Sequence, residues 1–117
     1  MRIEVRGRNV EVTGELREAV EKRFARTGRQ VSELATLEVE LSEERNPAIP
    51  DSQVAEATLH AKKVTLRARE ASPDMLHSIH EVADNMRRQV KKHREKRRRR
   101  WATRRSKASM RGGEAQT

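Results

Sequence analysis

Apolar and polar residues alternate from the start of the chain, with Ile3 and Val5 on one side and Arg2, Glu4 and Arg6 on the other. A period of two is that of a half-buried strand. The period then changes: Leu16, Val20 and Phe24 recur every fourth residue with Ala19 beside them, which is one apolar stripe along an amphipathic helix. Thr13 stands where an N-cap belongs, Glu15 and Glu18 follow near the positive helix end, and the stripe stops near Gly28. Alternation returns at Leu37, Val39 and Leu41, again at Ala55, Ala57, Leu59 and Ala61, and once more at Val64, Leu66 and Ala68. These segments predict three further strands. Residues 43–53, with Asn46, Pro47, Pro50 and Asp51, predict a loop, and Lys62-Lys63 a tight connection. Alanine is a poor strand former, so its presence on one strand face suggests room left for helices lying there. Ser72-Pro73-Asp74 has the form of a helix start, with an N-cap, an N1 proline and an early acid. Leu76, Ile79, Ala83, Met86 and Val90 continue from it at helical spacing.

The predicted order is β-α-β-β-β-α. A strand-helix-strand unit implies a right-handed crossover and a parallel first pair, and the remaining strands pair antiparallel. With both helix stripes buried on the same sheet face, the fold class is α+β, a two-layer sandwich of a four-stranded mixed sheet and two helices. Past Val90 the apolar stripe ends but helix-forming residues continue through Arg100. Residues 102–117 are small, polar and glycine-containing, and are expected to be disordered. The expected division is a folded domain over residues 1–96 and a basic flexible tail or linker over 97–117.

Composition sharpens this picture in two places. Of 117 residues only one is Trp, one is Phe and none is Tyr, so the core is aliphatic. The net charge of +9 is unevenly spread: residues 1–90 hold 15 Lys/Arg against 16 Asp/Glu, and residues 91–117 hold 12 against 2. A body of net −1 is joined to an end of net +10, and such asymmetry implies a polyanionic partner. The absence of cysteine excludes disulfides, thiolate metal sites and a cysteine nucleophile. The charged N-terminus is unlike a signal peptide, and no run approaches the roughly 18 apolar residues of a membrane span. The expectation is a cytoplasmic protein with no membrane partner. A basic helix lying on anionic lipid would need a bulky apolar face, and beyond Val90 only Trp101 offers one.

The candidate chemistry follows the charge. Arg87, Arg88, Lys91, Lys92, Arg94 and Lys96 form a row of cations along and beyond the last helix, and Arg97 to Arg100 extend it. Each such group held against a nucleic-acid phosphate releases counterions, and arginine can fork onto phosphate bidentately. On the first helix Lys22, Arg23, Arg26 and Arg29 cluster near the C-terminus, where cations also suit the helix dipole. If the two helices run side by side and parallel, their basic ends converge. RNA-binding modules that stack bases on a sheet use Phe and Tyr. Here Phe24 belongs to the core stripe and only Trp101 is free to stack, so binding should rest on phosphates and RNA shape. A double-stranded-RNA-binding domain places lysines at the start of its last helix; here that start is Ser72-Pro73-Asp74-Met75, which argues against that family. Catalytic signals are thin. His77, His80 and Glu81 are the only grouping with metal-ligand character, there is no phosphate-cradling glycine loop, and Glu43 and Glu44 lie in a hydrophilic loop. No cofactor, metal or small-molecule substrate is expected.

Several short motifs, taken in order, resemble one family. Gly7-Arg8-Asn9, Val12-Thr13 and Leu16 are similar to the opening of the ribosome hibernation-promoting factors, also called ribosome-associated inhibitor or protein Y. Leu66-Arg67-Ala68, Asp74-Met75, Ile79, Asp84, Met86 and Arg88-Gln89 resemble the same family's hairpin and last helix, so that the likeness spans about residues 1–96. The chain departs from the pattern at Leu76, where the family usually has Tyr, at His80, where it usually has Asp, and at Arg87, where an acid is common. The resemblance implies the β-α-β-β-β-α domain already read from periodicity. It also implies binding to the small ribosomal subunit and its rRNA, in the channel of mRNA and tRNA, with translation blocked in stress or stationary phase and no enzymatic step. By analogy Arg23, Arg26, Arg29, Arg88, Lys91, Lys92 and Lys96 face RNA. Long members carry a second, dimerising domain; its absence before Thr117 gives the expectation of a monomer, either a short member or a piece of a long one. Two rival readings remain: a general RNA-binding or RNA-chaperone domain without ribosome preference, and a small metal hydrolase using His77, His80 and Glu81.

Overall fold

The computed structural model describes the backbone of residues 1–116 and the side chains of residues 1–103. Its elements are β1 (Arg2–Arg8), α1 (Gly14–Arg23), α2 (Ala25–Gln30), β2 (Thr36–Glu43), β3 (Gln53–Ala61), β4 (Val64–Ser72) and α3 (Met75–Gln116). The four strands form one sheet in sequence order. β1 and β2 are parallel, with Ile3 opposite Leu37 and Val5 opposite Val39, while β2–β3 and β3–β4 are antiparallel. This is the α+β mixed-sheet sandwich that the periodicity predicts.

The core lies between the sheet and the helices. Leu37, Val39, Leu41, Ala55, Ala57 and Leu59 supply the sheet side, and Val20, Phe24, Ile79, Val82, Met86 and Val90 the helix side, all buried. α3 packs over β3 and β4 and also meets α1 and α2, while α1 touches β1. Ala55 and Ala57, fully buried on β3, are the small residues that let a helix approach.

The first helical region differs from the single predicted helix. It bends at Phe24, which has φ −91° and ψ 1° and divides α1 from α2. The ladder survives the bend, since the amide of Phe24 donates to Val20 O and that of Gly28 to Phe24 O, both at 3.0 Å. Helix continues two residues past Gly28, to Gln30. The Thr13 cap is as expected: its Oγ1 accepts from the Leu16 amide at 3.2 Å.

The start of the last helix also differs from expectation. Ser72 is the buried end of β4, paired with Gln53, and not a helix cap. The capping side chain is Asp74, whose Oδ2 accepts from the His77 amide at 3.3 Å. The Ser72 hydroxyl instead lies 2.6 Å from the Asp74 carbonyl and 2.7 Å from Ser78 Oγ, with one proton to give to either, while Ser78 Oγ donates to Gln53 O at 2.6 Å. Two buried hydroxyls thus tie the strand end to the first turn of α3, each satisfied as burial demands.

Gly7 and Asn9 are the backbone reason for the Gly-Arg-Asn motif. A Cβ at Gly7 would collide with the carbonyl oxygen of Val10 and lie 2.9 Å from Val12 Cγ2. Asn9 holds φ 61°, a region asparagine tolerates better than most residues. Gly7→Ala is therefore expected to destabilise the domain by about 1–3 kcal/mol, seen as a fall in melting temperature on the order of 5–15 °C by circular dichroism.

The solvent face of the sheet is charge-balanced. Glu40 and Glu56 stand directly opposite each other, which is unfavourable for like charges. Each turns to an arginine on an edge strand, Arg6 to Glu40 at 3.0 Å and Arg69 to Glu56 at 3.3 Å. That face presents no single sign to a polyanion, so the cationic surface of interest lies on the helical side.

Candidate nucleic-acid interface

α3 carries the chain from the core into solvent without a break. Among the described residues its last buried one is Val90, yet the helix runs on through the arginines at 97–100. The boundary expected after residue 96 thus falls inside one helix. The expectation of a flexible segment over 97–117 falls largely on residues whose side chains lie outside the described ones. At about 1.5 Å per residue, the 42 residues of α3 measure roughly 63 Å, and the molecule is 72 Å long against 29 and 18 Å across. Among the described residues, the cations from Arg87 to Arg100 thus lie on one continuous helix that begins in the core.

Sequence spacing and hydrogen bonds together orient the helix. Asn85 Nδ2 donates to Glu70 Oε1 at 2.9 Å and Gln89 Nε2 to the Arg67 carbonyl at 2.7 Å, so this flank leans on β4. At 3.6 residues per turn the opposite flank carries Arg87, Lys91, Arg94 and Arg98, and it faces the side on which α1 and α2 pack. Arg23 ends α1, and Arg26 and Arg29 are on α2; all three are exposed. Because β1 and β2 are parallel, α1 runs opposite to them; α3, following β4, runs the same way as α1. The basic ends of the helical layer therefore lie at the same end of the sheet. Arg88 and Lys92 are exposed on the outer side of α3, and Lys91, also exposed, lies at the edge between that side and the α1–α2 flank. Arg87 is half-buried and bonded to Asp84 at 3.2 Å on its own helix, so its charge is partly committed within the protein.

Arg94 and Lys96 take part in a second feature, an open groove lined by Gln30, Lys62, Lys63, His93, Arg94, Lys96, Arg97, Arg98, Arg100 and Trp101. Arg23, Arg26, Arg29, Arg88, Lys91 and Lys92 are not among its walls. By sequence pattern alone Lys62 and Lys63 read only as a tight connection between strands. The structure makes them the tip of a hairpin in which Ala61 pairs with Val64, with Lys63 at φ 65°. The signal available in the sequence was a Lys-Lys pair where a two-residue turn ordinarily takes Asn or Gly.

The histidines do not gather. His77 Nε2 meets Glu81 at 3.7 Å and His80 Nε2 meets Asp84 at 3.5 Å, two separate pairs along α3. Among the described residues no three His, Cys, Asp or Glu side chains are grouped to hold a metal ion, and no helix is long and apolar enough to cross a membrane.

Fold and surface together define a small α+β domain with a cationic helical side. The chain belongs to the Sigma 54 modulation protein / S30EA ribosomal protein family, whose model matches residues 3–98. This is a family of ribosome-associated proteins rather than enzymes. The chain is 33% identical over 97 residues to a ribosome hibernation promotion factor of Picosynechococcus sp., covering 82% of this chain and 50% of that one. It therefore spans half the length of that relative. It is 30% identical over 96 residues to the ribosome hibernation promoting factor of Escherichia coli K12, covering 82% and 96%. Among solved structures, the Thermus thermophilus Protein Y N-terminal domain superposes with a TM-score of 0.67 at 29% identity, over 80% of this chain and 99% of that one. A ribosomal subunit interface protein from Coxiella burnetii shares the fold, with a TM-score of 0.69 at 19% identity over 81% and 99%.

Proposed function

We propose that this chain is a cytoplasmic ribosome hibernation factor that binds rRNA of the small subunit in the mRNA and tRNA channel and so blocks translation in stress or stationary phase. The observation that carries the reading is α3: a helix anchored by Ile79, Met86 and Val90 in the core and continuing outward as a nearly uninterrupted row of Lys and Arg. An anchored row of cations binds a fixed pattern of phosphates at a lower entropic cost than a loose tail. Family membership and the hibernation factors named above support the ribosome as the partner. The contacts we assign are Arg23, Arg26 and Arg29 from α1–α2 and Arg87, Arg88, Lys91, Lys92, Arg94 and Lys96 from α3. Residues 1–96 act as the ribosome-binding domain, with 97–117 as its basic extension, and the chain acts as a monomer. Inhibition is steric exclusion with no bond made or broken.

The test is co-sedimentation with purified ribosomes and separated subunits at physiological salt, with unrelated structured RNA as competitor. Saturable binding to the small subunit that survives the competitor, together with inhibition of in vitro translation, is the expected result. Binding stripped away by competitor would replace the proposal with a general RNA-binding domain.

A further inference from the structure

The face of α3 that grips the sheet continues after the sheet ends. Met86 and Val90 are buried on it, and the next positions on the same stripe are His93, Arg97 and Trp101. There the stripe no longer meets strands. It looks across the open groove toward the hairpin tip Lys62-Lys63 and the end of α2 at Gln30. Among the described residues no Asp or Glu lines this groove. Two walls of like charge facing one another raise the local positive potential and favour an anion between them. At the outer end Trp101 is 62% exposed, a large aromatic surface left in water beside cations. Lys63 sits in the left-handed region at φ 65°, where a residue with a Cβ is held at a cost that glycine would avoid. Such a residue at the rim puts a cation where turn stability alone would favour glycine.

We propose that this groove binds an unpaired stretch of RNA, with phosphates held between Lys62 and Lys63 on one wall and Arg97 on the other, and a base stacked on the Trp101 indole. The inference rests on α3 as an RNA-contacting element and adds two things to it: the hairpin as a second wall, and the single-stranded form of the ligand. A duplex keeps its bases stacked inside and has no free base face to offer the indole. An unpaired strand offers both a phosphate chain and a base face, the combination that sequence-tolerant single-strand sites use.

Trp101 is the chain's only tryptophan, so intrinsic fluorescence of the full chain reports on this groove alone. The chain is titrated with a short oligouridylate, a duplex RNA of equal length, inorganic polyphosphate and an oligoglutamate peptide. Saturable quenching by the single strand, and by none of the other three, is expected. By fluorescence anisotropy of a labelled oligouridylate, Trp101→Ala should weaken binding roughly tenfold and Trp101→Phe much less. A joint Lys62→Glu and Lys63→Glu variant should weaken it with a lower salt dependence. Equal quenching by polyphosphate, duplex or peptide, or unchanged affinity in Trp101→Ala, would overturn the groove proposal. Ribosome co-sedimentation separates the two readings. If Trp101→Ala still pellets with the small subunit while oligouridylate affinity is unaltered, only the groove is lost. If the unaltered chain quenches with oligouridylate yet fails to pellet with ribosomes, the groove stands and the ribosome reading falls.

Discussion

Lys91→Glu combined with Lys92→Glu is expected to weaken ribosome binding at least about tenfold at low salt, and to lower the slope of log affinity against log salt by about 2. Both side chains are exposed on α3, and among the described residues neither joins an ion pair within the protein. Their charge is available to a partner, and its loss removes nothing from the fold. Glutamate and lysine have similar helix propensities, so the melting temperature should stay within a few degrees of the unaltered chain. The pairing of a large binding effect with an unchanged melting curve is what distinguishes a phosphate contact from a structural one. Arg87→Glu is a less clean probe, because its guanidinium already bonds Asp84 at 3.2 Å and reversal would place two acids together. Should the Lys91/Lys92 variant bind with an unaltered salt slope, these residues do not touch phosphate, and the RNA-facing surface must be sought on the α1–α2 side or in the groove.

Much of the fold was legible because each element has one dominant period. The alternation of Leu37, Val39 and Leu41 with glutamates allows only one face to be buried, and the structure buries all three. The stripe from Ile79 to Val90 marks where α3 leaves the core with equal clarity. What escaped was decided by partners distant in sequence. Ser72 has every local mark of a helix cap, yet its hydroxyl is claimed by Ser78 and its backbone by Gln53 across the sheet, so the helix starts later, behind Asp74. The bend at Phe24 falls on the last apolar residue of its stripe, where the helical spacing itself carries no sign of a break. The cations at 87–96 were visible as a row, but their orientation needed the hydrogen bonds of Asn85 and Gln89 to β4. The Lys62-Lys63 tip gained meaning only when the pairing of β3 with β4 brought it opposite α3.

Phe24→Ala is expected to produce the largest loss of stability. Phe24 is completely buried, and it is the chain's only phenylalanine in a core otherwise made of aliphatic side chains. Truncating such a residue removes its transfer free energy and leaves a cavity, about 3–5 kcal/mol together. For a domain of this size that corresponds to a fall in melting temperature on the order of 15–30 °C, measurable by circular dichroism. A second consequence follows from its place at the junction of α1 and α2. The Phe24 carbonyl accepts from the Gly28 amide at 3.0 Å, holding the first turn of α2, and its ring anchors the segment that carries Arg26 and Arg29. Without the ring, α2 should loosen before the sheet does, so amide exchange at residues 25–30 should accelerate more than at Leu37, Val39 or Leu59. Uniform acceleration across the domain would mean that α2 melts only with the whole fold, and that the placement of Arg26 and Arg29 is as rigid as the core itself.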